Sequence, residues 1–352
     1  MKLKPLVIKD ITAKIPIIQG GMGIGISCHR LASAVANEGG IGIISAAQTG
    51  YREVDFKSNT LEANLRALRD EIRKARENTK GIIGVNIMVA MKNYAQFVKV
   101  AVEEKVDLII SGAGLPLELP ELTEGSNVKL VPIVSSLRAA ELIMKRWMKK
   151  FSKRPDAIVV EGPEAGGHLG FNKEDLIENT CQDVYSIVNE LSGYLKENQL
   201  DIPVIAAGGI FHAKDIVKAI EAGASGVQMA TRFVATYECD ASEAFKQAYI
   251  DAKKEDIVIM QSPVGLPGRA LRNPMLDMVE GGERVKVKKC LSCVHKCDPA
   301  TTPFCITDAL INAAIGDLDH ALLFVGSRVH EIDCIVSVKD IFEEISRDME
   351  AL

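Results

Sequence analysis

The chain has 352 residues, 47% apolar and 25% charged, with a formal net charge of −5. That balance belongs to a water-soluble globular protein with a sizeable core, and the lack of a basic tract argues against nucleic acid as a partner. No apolar run approaches the roughly 20 residues that span a bilayer, and the opening MKLKPLVIKDITAKIPIIQGG lacks a signal peptide's long apolar region, so a cytoplasmic protein with no membrane partner is expected.

Short apolar runs alternate with helical periods as far as about residue 254. The first predicted strand covers 15–19 and runs into Gly20-Gly21-Met22-Gly23; a helix over 28–37 stops at Gly39-Gly40. The second strand is 41–45. After it Leu61, Leu65, Leu68, Ile72 and Ala75 recur at helical spacing, between a candidate cap at Asn59 and a stop at Gly81. Strand three is 82–87, with Asn86 near its end, and a helix follows over 93–104. Strand four, 107–111, leads into Gly112-Ala113-Gly114 and a short Pro-broken helical segment over 117–124. Strand five is 130–135, and the helix over 136–150 carries Lys149 and Lys150 in its last turn, where cations suit the dipole.

The sixth strand begins the stretch IVVEGPEAGGHLGF (158–171). Its apolar start reads as a buried strand end. Glycines let the backbone approach a flat ligand closely, and His168 is the one side chain in this loop whose ordinary pKa lies near neutrality. That combination points to a reactive group facing a bound ring; the plainer alternative is a tight turn with a surface histidine. One helix is predicted over 173–195. Strand seven, 203–207, is followed by Gly208-Gly209 and a helix over 212–222. Strand eight, 226–230, is followed by a helix over 241–253.

Eight such units fit a closed (β/α)8 TIM barrel, because the strands read as continuous apolar runs covered on both faces. The expected organisation is a barrel over 1–254 and a C-terminal extension over 255–352 that holds a cysteine segment and helices packing on the barrel. Glycines and polar residues fall after the strands, where barrels build their active sites. A doubly wound sheet is disfavoured, since Gly21, Gly23 and Gly25 lack the GxGxxG spacing. Ala207, Gly208 and Gly209 on one loop and Ala230 and Thr231 on the next suit a phosphate cradled by backbone N–H groups. Gly21, Met22 and Gly23 can lie along an aromatic ring, with Gly21 and Met22 offering backbone groups. Asn86 and Gln228 suit a pyrimidine-like edge or a ribityl hydroxyl. Ordinary turn glycines and a buried, satisfied Asn are the alternatives.

Taken together, IPIIQGGMG, GVNIM, SGAGLP, EGPEAGGHLG, PVIAAGGI and VQMATRF resemble the nitronate monooxygenase family (formerly 2-nitropropane dioxygenases), close to the flavin-dependent enoyl-ACP reductases. The resemblance runs over about 14–235. It implies a barrel that binds FMN without covalent linkage and His168 as the catalytic residue. It implies cofactor contacts from Gly21, Met22, Gly23, Asn86, Ala207, Gly208, Gly209, Gln228, Met229, Ala230 and Thr231. Ala230 stands where relatives often have glycine, and a positive φ there would cost about 1 kcal/mol or more. The implied reaction is oxidation of alkyl nitronates with O2 by one-electron transfer to the flavin. The histidine would donate a hydrogen bond to the nitro group or take the carbon-bound proton of a neutral nitroalkane. Three alternatives stay open: an NAD(P)H-dependent enoyl-ACP or quinone reductase at the same site, a non-catalytic flavin-binding redox sensor, and a phosphate-sugar barrel enzyme without flavin. A homodimer is a further expectation.

Four of the eight cysteines crowd into KCLSCVHKCDPATTPFC: Cys290, Cys293, Cys297 and Cys305. Four thiolates so spaced can converge on a [4Fe–4S] cluster or a Zn²⁺ ion, and free thiols are the third reading. The spacing is similar to the iron–sulfur segment of the dienoyl-CoA reductase branch of barrel flavoenzymes. His295 is more readily solvent-facing than a ligand. Cys28, Cys181, Cys239 and Cys334 read as scattered, mostly buried thiols. The stretch 263–274 is expected to be an irregular lid or binding loop, with Arg269 and Arg272 in surface salt bridges or meeting a substrate anion. Residues 338–349 read as an amphipathic helix.

Overall fold

The computed structural model describes residues 3–352. In chain order the first elements are strands β1 (Leu6–Ile8), β2 (Ile11–Ala13) and β3 (Ile17–Gln19), then helix α1 (His29–Asn37), β4 (Ile41–Ser45), α2 (Thr60–Asn78), β5 (Ile82–Met88), α3 (Tyr94–Glu103) and β6 (Leu108–Gly112). Next come α4 (Leu119–Leu122), β7 (Lys129–Val134), α5 (Leu137–Phe151), β8 (Ile158–Glu161), β9 (Gly167–His168), α6 (Lys173–Glu178), α7 (Val184–Glu197), β10 (Val204–Ala207), α8 (Ala213–Glu221), β11 (Gly226–Met229) and α9 (Thr231–Val234). The remainder is α10 (Glu243–Asp251), β12 (Ile257–Gln261), β13 (Pro267–Leu271), α11 (Pro274–Glu280), α12 (Ile306–Ile315) and α13 (Val338–Ala351). Strands β3 to β8, with β10 and β11, close into a wholly parallel barrel, β11 pairing back onto β3. The chain therefore has the (β/α)8 fold, with a strand at each of the eight predicted places.

Side chains alternate across each barrel strand, as strand geometry requires. Ile18, Ile43, Ile110, Val131, Val159 and Ile205 fill the barrel interior as one cluster. Their neighbours Ile17, Ile44, Ile109, Leu130, Val160 and Val204 face the helices in the larger core. Each buried Ile or Leu contributes about 1.5–3 kcal/mol, so a polar change at Ile18 or Ile205 would break the inner layer. The hairpin β1–β2, which the lysine-rich opening does not announce, sends Leu6, Ile8 and Ala13 into that same inner layer and plugs the barrel floor.

The predicted helix over 173–195 is two helices. Asn179 takes a left-handed φ of 54° and ends α6. Asp183 then starts α7, its carboxylate accepting the amides of Tyr185 and Ser186 at 2.9 and 3.1 Å. Residues 263–274 are also more regular than expected. β13 pairs antiparallel with β12 on one side and with β9 on the other, and so carries the histidine strand into a three-stranded sheet. A separate apolar cluster built on Met260, Met275, Leu276, Phe304, Ile306 and Leu322 supports this region. Helix α13 buries Val338, Ile341, Phe342, Ile345 and Met349 in the main core. Arg232 pairs with its Glu344 at 2.6 Å. Among the described residues no helix is long and apolar enough to cross a membrane.

Candidate active site

At the C-terminal end of β8 the alternation that sends Val159 inward and Val160 outward turns Glu161 inward again, level with Ala207 of β10. Glu161 lines a cavity over the mouth of the barrel. Burial lifts its carboxyl to about 7, with no charged or hydrogen-bonding partner among the described residues to offset it. The chain then loops through Gly162 to Gly166 and returns as β9. Gly166 is required by close approach: a Cβ there would lie 2.6 Å from the Val325 carbonyl carbon and 2.8 Å from the Gly326 amide.

Arg269 holds this loop in place. It is buried, 8% exposed, and one guanidinium nitrogen donates to the carbonyls of Pro163 (2.7 Å) and Ala165 (2.6 Å). The expected surface or substrate role of Arg269 is thus corrected: its place on β13, between two buried faces, points it at backbone. Arg272, three residues later and just past the end of β13, does form surface ion pairs, with Asp277 and Glu280.

His168 sits on β9 opposite Gly268 and lines the same cavity. Its Nε2 lies 2.8 Å from the Ser262 hydroxyl, and its ring meets Phe324 edge-on at 4.9 Å between centroids. The expectation of a histidine poised near neutrality is corrected. Burial lowers its pKa to about 4, so the ring is neutral at pH 7.

The cavity gathers the predicted residues from five separate stretches of chain. Gly21, Met22, Gly23, Asn86, His168, Ala207, Gly208, Gly209, Gln228, Met229, Ala230 and Thr231 all line it. Several details differ from expectation. Ser27 occupies both backbone groups of Met22, whose amide donates to Ser27 Oγ at 2.8 Å and whose carbonyl accepts from the Ser27 amide at 2.9 Å. Met22 therefore reaches the cavity without a free amide. Ala230 has φ −129°, so the strain foreseen for a non-glycine there does not arise. Gly208 and Gly209 have φ of 90° and 79°, which residues with a Cβ rarely adopt.

The polar atoms fit FMN. Gln228 Oε1 is buried with no hydrogen-bond partner among the described residues. A buried acceptor left so is costly unless a ligand donates to it. The amides of Gly208 and Gly209 donate to no other group among the described residues. Thr231 accepts the Gly326 amide at 3.1 Å, which leaves its own O–H to donate. Gly20 to Gly23 run alongside Asn86 and Ser45, and side chains on Gly21 or Gly23 would collide with these neighbours.

Ser262, Tyr249, Leu310 and the segment 324–326 escape sequence reasoning. Tyr249, Leu310, Phe324, Val325 and Gly326 complete the cavity wall from the extension and its approach. Glu161 and Glu164, both inside the stretch 158–171 that carries His168, line the cavity as well.

The metal reading of the cysteine segment finds no support. Cys290, Cys293, Cys297 and Cys305 are free thiols, and no group of three or more potential metal ligands comes together among the described residues. Cys290 is exposed, whereas Cys293 packs against the Met260 cluster and its carbonyl accepts the Lys92 amide at 3.1 Å. The segment is tied down by backbone pairing to 90–92. None of the four lines the cavity. His295 is exposed. Cys28 and Cys239 are buried, Cys181 half-buried and Cys334 exposed.

Comparison with known proteins adds the following. A family model described as nitronate monooxygenase matches residues 4–348. A probable nitronate monooxygenase of Staphylococcus aureus (strain Newman) is 30% identical over 303 residues, covering 76% of this chain and 78% of the relative. A (3aS,4S,5R,7aS)-5-hydroxy-7a-methyl-1-oxo-octahydro-1H-indene-4-carboxyl-CoA dehydrogenase of Mycobacterium tuberculosis is 28% identical over 286 residues, 81% of this chain and 71% of the relative. The structure of FabK from Thermotoga maritima superposes with a TM-score of 0.74 at 29% identity, covering 96% of this chain and 93% of that one.

Proposed function

Because the chain belongs to the nitronate monooxygenase family, we propose that it is an FMN-dependent oxidoreductase that oxidises alkyl nitronates with O2. The observation that carries this reading is the single cavity in which the unpaired Gln228 Oε1, the free amides of Gly208 and Gly209 and the imidazole of His168 meet. FMN, when bound, supplies the electron transfer between substrate and oxygen. The chain does the rest. Gly208, Gly209 and the Thr231 hydroxyl hold the phosphate, while Gln228 and Asn86 take up the polar groups of the ring and ribityl chain. Glu161, protonated below about pH 7, offers one more donor from the barrel side.

His168 orients the substrate. Protonating its ring at pH 7 runs about 3 units against its pKa of about 4, roughly 4 kcal/mol. A neutral ring therefore suits a hydrogen bond to an oxygen that carries negative charge. Phe324, Leu310 and Tyr249 wall off water on that side.

A second reading, NAD(P)H-dependent reduction of an enoyl thioester, draws support for its thioester substrate alone from the relative whose name carries a carboxyl-CoA group. A thioester carbonyl would use the same donor. Anaerobic stopped-flow separates the two. Bleaching of the flavin by a nitronate and not by NADH or NADPH is the expected result; rapid bleaching by the nicotinamide alone would overturn the first reading.

A further inference from the structure

We infer that Ser262 fixes His168 as the Nδ1-protonated tautomer, so that the ring presents a hydrogen-bond donor to the cavity and no base. The argument is one of hydrogen-bond counting. Ser262 stands where β12 ends and the turn to β13 begins, and it is 3% exposed. Its backbone is pinned on both sides: its amide donates to the Leu266 carbonyl at 2.9 Å, and its carbonyl accepts the Gly265 amide at 2.9 Å. The hydroxyl oxygen thus has a fixed place, 2.8 Å from His168 Nε2, and the Val264 amide donates to that same oxygen at 3.4 Å.

A hydroxyl has one proton and two lone pairs. The Val264 amide occupies one lone pair. If Nε2–H occupied the other, the hydroxyl proton would be buried with no acceptor, because no other acceptor lies within reach among the described residues. If instead the Ser262 O–H donates to an unprotonated Nε2, every group is satisfied. The ring proton then sits on Nδ1. That nitrogen has no protein partner among the described residues and is not enclosed, on a residue that lines the cavity. Burial keeps the ring neutral, so no second proton restores symmetry. The edge of Phe324 holds the ring plane.

The consequence rests on the proposed oxidoreductase site and sharpens its substrate class. Nδ1–H can hold the oxygen of a preformed nitronate, or a thioester carbonyl. The cavity-facing nitrogen carries no free lone pair, so His168 does not take the carbon-bound proton of a neutral nitroalkane. Ser262 acts through His168 and is a positioning residue.

The test is long-range ¹H–¹⁵N correlation of protein labelled at its histidine rings, with His168 among the six histidines assigned by its loss in His168→Gln. We expect a protonated Nδ1 and an unprotonated Nε2 at His168. Ser262→Ala should shift the ring toward Nε2–H and lower kcat on a nitronate roughly tenfold or more, with little change in KM; Ser262→Thr should restore both. A protonated Nε2 in the wild type, or a Ser262→Ala spectrum identical to it, overturns the inference. The spectra need no turnover. Failure to oxidise nitronates would overturn the proposed function and leave the tautomer standing, whereas a wrong tautomer in an active nitronate oxidase would overturn only the role of Ser262.

Discussion

Arg269 of β13 and Ala165 of the histidine loop, 104 residues apart in sequence, are joined at 2.6 Å by a buried guanidinium–carbonyl hydrogen bond, with Pro163 held by the same nitrogen. Hydrogen bonds to a charged group contribute about 1.5–3 kcal/mol each. Arg269→Ala leaves two carbonyls without a donor and frees the segment that carries His168. A lower melting temperature and a loss of turnover beyond the loss of folded protein are expected. Calorimetry and activity per folded molecule check this, and wild-type values in both would contradict it.

Gln228 should show opposite effects on the two states of the protein. Its Oε1 is an unpaired buried acceptor, and such a group costs about 1–3 kcal/mol. Gln228→Met removes that cost, so the flavin-free protein should melt at the same or a higher temperature while FMN binds more weakly. Fluorescence titration with FMN, paired with melting curves of the flavin-free protein, gives both signs. Unchanged affinity would remove Gln228 from the cofactor site.

Glu161 ties stability to pH. Its carboxyl keeps its proton to about pH 7 in the fold, against an ordinary value of 4.5. Below 4.5 both folded and unfolded chains are protonated and the fold bears no ionisation cost. Between 4.5 and 7 only the unfolded chain ionises, so stability falls as pH rises; above 7 that loss is complete, at most ~3 kcal/mol. Urea unfolding of wild type and Glu161→Gln at pH 5 and pH 8 should show the wild type losing ground to the variant at the higher pH. Parallel curves would contradict the burial argument.

Gly209→Ala tests the phosphate turn. At φ 79° a Cβ is strained, and it would also strike the Glu164 carboxylate. Left-handed strain of about 1–2 kcal/mol, added to displacement of Glu164, should weaken FMN roughly tenfold or more. Equilibrium dialysis measures it; an FMN affinity equal to wild type would mean this turn does not touch the cofactor.

Much of this architecture was readable because its determinants are local. A parallel strand buried on both faces must be apolar throughout, and each of the eight runs says so by itself. The glycine turns and His168 are likewise announced by neighbours in sequence. What stayed hidden depends on distant partners. Ser262 acquires its meaning from a residue 94 positions away. β13 reads as a Pro- and Gly-rich loop until β9 and β12 flank it. The three-residue strands β1 and β2 are too short for any period to show. The cysteine spacing left a metal centre and free thiols both open because spacing limits only how far thiols can be apart. Burial of Cys293 against the Met260 cluster, with Cys290 left outside, decided where they went.

The bond from the Gly326 amide to Thr231 Oγ1 spans 95 residues and joins the last quarter of the chain to the turn proposed to hold the cofactor phosphate. Anything that tightens around Thr231 also tightens its grip on the tail, and by reciprocity a loosened tail must weaken that grip. Susceptibility of residues beyond 320 to limited proteolysis thus becomes a gauge of cofactor loading, readable in a lysate without any substrate in hand.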